Sequence, residues 1–406
     1  MEATTADSHH HHHHHDHDEV EVNPAAWSDG KRYAWLLGIV VPLAPFLAWG
    51  WASLSGIGAF YFLGPVLVFV IFPLLDIAIG LDNSNPPDSV LKFLEQDRYY
   101  RWCTYVFIPI QYGGLILACY LWSSGDLSAL ESIGLALTMG VVGGIAINTA
   151  HELGHKRASS ERWLSRVALA QTGYGHFFIE HNRGHHVRVA TPEDPASSRL
   201  GESFWAFLPR TVKGSLTSAW GIEAARLDRL GKSHWSIHND VLSAWAMTVG
   251  LFAVLAIAFG PVVLPYLLVQ AVIGFSLLEV VNYLEHYGLL RQKREDGRYQ
   301  RCLPEHSWNS NNVASNVLLY HLQRHSDHHA NPTRRYQALR HVDEAPQLPT
   351  GYAGMIVLAW FPPLWRRVMD PRLLEHFDGD VTQANIQPRK RAKILARYGA
   401  APEAAS

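Results

Sequence analysis

Residues 127–156 read LSALESIGLALTMGVVGGIAINTAHELGHK. No charged side chain stands between Glu131 and His151, and a helix needs about 20 apolar residues to cross a hydrocarbon core of about 30 Å. The stretch 127–150 therefore reads as a membrane span with histidines at its far end. Working outward, residues 33–51, 57–81, 102–122, 241–260 and 261–283 have the same character, giving six spans. Trp35, Trp49, Trp51, Trp102 and Trp122 mark segment ends, where an aromatic belt forms. Gly260-Pro261 stops one helix and starts the next, so spans five and six form a tight hairpin. Composition agrees. Of 406 residues only 17% are charged and 48% are hydrophobic, against about 25% charged in a soluble chain. That excludes a disordered chain, a coiled coil and a nucleic-acid-binding basic domain.

Loop charges orient the bundle. The connections near 52–56, 123–128 and 260–264 hold no Lys or Arg, whereas the block 151–240 holds 12 and 291–406 holds 17. Both termini and both large blocks are thus expected in the cytoplasm. The expected organisation is an acidic, His-rich tail or tag at 1–30, one six-helix domain at 31–380 with cytoplasmic blocks 151–240 and 291–380, and a basic tail at 381–406. Residues 353–365 (AGMIVLAWFPPLW) are too short for a span and read as interfacial or re-entrant. The basic stretch 387–398 suits anionic headgroups or solvent. The fold class is all-α, polytopic.

Histidine carries the chemistry. Eight of the 24 lie in the N-terminal run, and most of the rest cluster. His151 and His155 are spaced i, i+4; His181, His185 and His186 are spaced i, i+4, i+5; His325, His328 and His329 are spaced i, i+3, i+4. His286 ends the sixth apolar stretch at the same membrane face. Alone, HELGH matches a zinc-protease pattern with Glu152 as base. One zinc takes about three protein ligands plus water, so nine imidazoles exceed that need and suit two metal ions. An imidazole-rich, thiolate-free set fits iron, copper, nickel or zinc, and redox work favours iron. The three cysteines (Cys103, Cys119, Cys302) form no CxxC pair, which excludes a built-in iron–sulfur site.

HELGHK, IEHNRGHH, NYLEHYGL and LQRHSDHH, in this order around six spans, closely resemble the membrane alkane 1-monooxygenases, within the integral-membrane di-iron group that includes fatty-acid desaturases. The resemblance covers about residues 33–370. It implies terminal hydroxylation of medium-chain n-alkanes in the bacterial inner membrane, with O2 as co-substrate and electrons from rubredoxin and its reductase. It also implies two iron ions on His151, His155, His181, His185, His186, His286, His325, His328 and His329. A lipid desaturase or a hydroxylase of aromatic side chains is the alternative in the same chemistry. An intramembrane protease and a metal transporter are the alternatives outside it.

Glu152, Glu180, Glu285 and Asp327 adjoin ligand positions and are candidates to accept the other imidazole N–H; the competing reading pairs them with nearby Lys and Arg. His321 and His176 are further candidates, as donors beside the ligand positions, and His306, in the family motif PEHSWNSNN, reads as structural. His234, His238, His341 and His376 have no metal-like company. Each turnover needs two electrons, and Arg157, Arg162, Arg183, Arg188, Arg334 and Arg335 are the expected docking rim for an acidic donor.

Overall fold

The computed structural model describes residues 22–399, and among them every regular element is helical, with only isolated β-bridges. Six helices are long and apolar enough to cross a membrane: Ala34–Ser55, Gly58–Ile79, Arg98–Ser124, Ala129–Gly154, Asp240–Phe259 and Val263–His286. They are called spans one to six. Each expected span is present, with ends shifted by a few residues where polar caps take over. Span three begins early because Asp97 accepts from the Tyr99 N–H at 3.0 Å. Span four starts on a reciprocal cap, with Ser128 Oγ accepting from Glu131 N and Glu131 Oε1 accepting from Ser128 N. Span two is interrupted by a π turn, Leu67–Ile71, just before Pro73. A proline ring clashes with the carbonyl four residues back, and a wider turn relieves it.

Spans four and six form the central pair. A Cβ on Gly140 would come within 2.4 Å of Ile273, and one on Gly144 within 2.9 Å of the Gly274 carbonyl. Only glycine permits this backbone approach, the usual means of packing helices in lipid. The short turns between spans one and two, three and four, and five and six lie at one end of the bundle. The long blocks, and with them all the clustered histidines, lie at the other.

Those blocks fold over that end. Phe204–Arg229 runs alongside, and Tyr352–Ala359 packs against spans two and six with Met355 and Ile356 buried, while Phe361 and Leu364 beyond it are exposed. Of the stretch 1–30 expected as a tail, residues 1–21 lie outside the described residues. Residues 22–30 pack on the body: Trp27 joins the Trp35 cluster, and Asp29 accepts from the Tyr100 hydroxyl at 2.7 Å. Within the basic stretch 381–399, the helix Arg391–Arg397 buries Ile394 and Leu395 against the body.

Candidate metal centre

Spans four and six deliver the first ligand positions. Span four keeps its helix through the HELG turn, so His151 and His155 share a face. His286 is the last residue of span six. The carbonyls that this helix end leaves orphaned are met by the polar loop at 304–312. Trp308 N donates to Glu285 O at 2.7 Å, and Trp308 Nε1 donates to Tyr287 O at 2.9 Å.

The second cluster depends on a backbone irregularity. On an α-helix His186 would lie about 140° round from His181. Residues His181–His185 instead form a π turn, whose extra residue per turn brings both His185 and His186 back towards His181. Such single-turn bulges recur at functional sites. Asn182 Nδ2 ties the turn to span four through Gly154 O, and Glu180 lies so close to Gly184 that a Cβ there would be 2.5 Å from its Oε2. The third cluster lies on the short helix His325–Ala330, where i, i+3 and i+4 share a face. Arg324 anchors it, donating to the carbonyls of Asp82, Ser84 and Leu339.

All nine expected histidines converge, in two groups. His151, His155, His181, His186 and His328 form one; His185, His286, His325 and His329 form the other; within each group the potential ligand atoms lie within 4.8 Å of one another. The Nε2 atoms of His181 and His186 are 3.1 Å apart, those of His325 and His329 2.9 Å, and those of His325 and His286 3.3 Å. Two nitrogens bound about 2.1 Å from one ion at 90–110° would be about 3.0–3.4 Å apart. Nε2 of His151, His155 and His328 is buried without a partner, a costly arrangement unless an ion completes it. Burial, reinforced by neighbouring imidazoles, holds His155, His181, His186, His325, His328 and His329 well below their ordinary pKa. They are neutral at neutral pH, the form that binds metal. The residues present fit two metal ions.

Outer partners aim the rings. His286 Nδ1 lies 2.9 Å from His306 O, so His306 serves through its carbonyl. Glu285 Oε2 lies 2.8 Å from His325 Nδ1. Asp194, which sequence reasoning missed, lies 2.7 Å from His185 Nδ1 and accepts from Ser197 Oγ at 2.6 Å. Burial raises the Asp194 carboxyl, but His185 and Ser197 outweigh that and hold it below the usual carboxylate value. No spacing rule singles out an aspartate in a TPEDP loop; only the fold brings it there. Glu152, Glu180 and Asp327 are held elsewhere. Glu152 pairs with Lys156 at 3.1 Å and accepts from Tyr336 N, Glu180 with Arg188 at 2.7 Å, and Asp327 with Arg334 at 2.9 Å. Burial pushes Glu180 up to about 7. His321 faces Tyr336 O and Lys31, and His176 lies against Tyr174. Neither belongs to a metal-sized group among the described residues. Of the expected docking rim, Arg183, Arg188, Arg334 and Arg335 are paired with Glu223, Glu180, Asp327 and Glu161.

A model of the fatty acid desaturase family matches residues 130–359, the region that contains every one of these histidines. The chain is 51% identical to an alkane 1-monooxygenase of Acinetobacter baylyi and 48% identical to alkane 1-monooxygenase 1 of Alcanivorax borkumensis, in each case over 91% of this chain and 92% of the relative. The chain belongs to the alkane 1-monooxygenase family. A more distant likeness, 27% over 68% of this chain, is to the xylene/toluene monooxygenase hydroxylase component of Pseudomonas putida. Within the alkane 1-monooxygenase frame the HExxH protease reading falls away: Glu152 is tied to Lys156, and five imidazoles, not two, surround the motif.

Proposed function

We propose that the protein hydroxylates medium-chain n-alkanes at the terminal carbon, using O2 and two electrons from rubredoxin and its reductase, at two iron ions held by the nine histidines. The observation that carries this reading is two ion-sized groups of imidazoles at one end of an apolar six-helix bundle, in a chain half identical to alkane 1-monooxygenases; a small apolar cavity of about 20 Å³ lies about one helical turn away. Val68, Gly144, Leu277, Val281, Leu318 and Ile356 line that cavity. Asn148, three residues before His151, is its one polar side chain, and its amide donates to Leu319 O at 2.9 Å.

An alkane offers no handle to an acid, base or nucleophile. Bound iron would supply the reductive activation of O2, with one oxygen atom going to the alcohol and the other to water. The chain's residues do the rest. The leucines and valines beside the histidines exclude water; Asp194, Glu285 and the His306 carbonyl fix ring orientation. Loop charge supports placing the histidine blocks and both termini on the cytoplasmic side of a bacterial inner membrane. The test is octane supplied with O2, rubredoxin, its reductase and a reductant, with products identified by mass spectrometry. 1-Octanol is expected; an alkene, or no O2-dependent product, would overturn the reading.

A further inference from the structure

The helix Arg391–Arg397 and the helix Pro362–His376 enclose a cavity of about 250 Å³ against Gly201. Four cations line it: Arg366, Lys390, Lys393 and Arg397. Asp370 is the one carboxylate lining it. That carboxylate is already engaged: it is buried, and Tyr287 OH donates to it at 2.7 Å. Lys390 donates to the Gly201 carbonyl, and Arg397 lies over the Tyr398 ring. Asp370 interacts with Arg366 and Arg397, and one carboxylate against four cations leaves the lining with an excess of positive charge.

Like charges facing one another across a cavity push its walls apart. One wall is a seven-residue helix held by little more than Ile394 and Leu395. An anion in the cavity would convert that repulsion into a clamp. The surroundings say which anion. Phe361, Leu364 and Trp205 are each about half exposed, and the Trp205 indole donates to Trp360 O at 3.0 Å. Large apolar side chains exposed immediately before Arg366 mark the lipid boundary, with the basic residues at headgroup level.

We propose that this cavity binds the phosphate of an anionic phospholipid headgroup, which clamps the C-terminal helix onto the body beside Asp370. The clamp bears on the metal centre's support, because Tyr287 follows His286 and packs on Trp365, 5.3 Å between ring centroids. The inference does not depend on the reaction proposed above.

Hydrogen exchange of the peptide spanning residues 391–398 tests it, on the full chain in nanodiscs. Replacing part of a phosphatidylcholine bilayer by phosphatidylglycerol should slow exchange about tenfold when the lipid exceeds its dissociation constant about tenfold. The variant carrying Arg366→Gln, Lys393→Gln and Arg397→Gln should lose that response, yet in pure phosphatidylcholine should exchange no faster than the parent, since its repulsion is relieved. Equal protection by millimolar inorganic phosphate in phosphatidylcholine discs would overturn the lipid assignment in favour of a free anion. An undiminished phosphatidylglycerol response in the variant, no response in the parent, or faster basal exchange in the variant would overturn the clamp.

Discussion

Asp194 is fully buried, with its Oδ2 2.7 Å from His185 Nδ1. Removing such a partner generally costs about 10–100-fold in metal affinity. Asp194→Ala is therefore expected to weaken metal binding by that order at one of the two groups of imidazoles while sparing the other, measured by metal titration of the chelator-stripped protein. Replacing any of the nine histidines by Ala should abolish octanol formation and lower metal content. His234→Ala, at a surface residue paired with Asp228, should do neither. Near-normal turnover in two of the nine variants would sink the ligand assignment. At this scale the sequence was legible where residue type and spacing coincide: all nine imidazoles converge. It was illegible where contact is long-range. Asp194 and the His306 carbonyl reach their rings only through tertiary folding, and Glu152, Glu180 and Asp327, adjacent in sequence to ligand positions, turn instead to basic residues.

The six spans were readable because length and apolarity suffice to define a membrane helix. The π turns at Leu67–Ile71 and His181–His185 were not, since an α-helical and a π-helical turn share one apolar pattern. The i, i+5 spacing of His181 and His186, which does not share a face of an α-helix, is the one signal of the second of these turns in the sequence. The glycines of span four belong to this scale as well. Gly140→Val would force its side chain into Ile273, and overpacking of this kind costs about 1–3 kcal/mol. A lower melting temperature and reduced octanol formation are expected. Gly221→Ala, where no atom lies within 4 Å of the new Cβ, should leave both unchanged.

For the molecule as a whole, topology and pH give two further tests. A cysteine introduced after Gly125 should react with an impermeant reagent from the periplasmic side, and one after Lys232, at an exposed position of the block 151–240, should not. The reverse pattern would require inverting the bundle. The pH dependence of the metal-free fold follows from burial. Imidazoles of the unfolded chain titrate near 6.5, whereas burial lowers His176 and His306 to about 4 and holds six of the proposed ligands well below the ordinary value. Between those values the unfolded chain binds more protons, so stability falls as pH falls below about 6.5. Glu180, raised to about 7, and Asp370, also raised by burial, act in the opposite sense but are outnumbered. The melting temperature of the chelator-stripped protein in detergent should drop between pH 7 and pH 5. A flat or rising profile would contradict the burial of these rings.

The glycine-backed contact between spans four and six has a mechanical consequence. His151 and His286 stand on the last turns of two helices that cannot slide or part without breaking backbone contact at Gly140 and Gly144. A bilayer that is too thin or too thick is met by helix tilt, and this pair would tilt as one rod. Changing lipid acyl length should accordingly alter how the protein sits in the membrane far more than it alters the separation of the two groups of imidazoles.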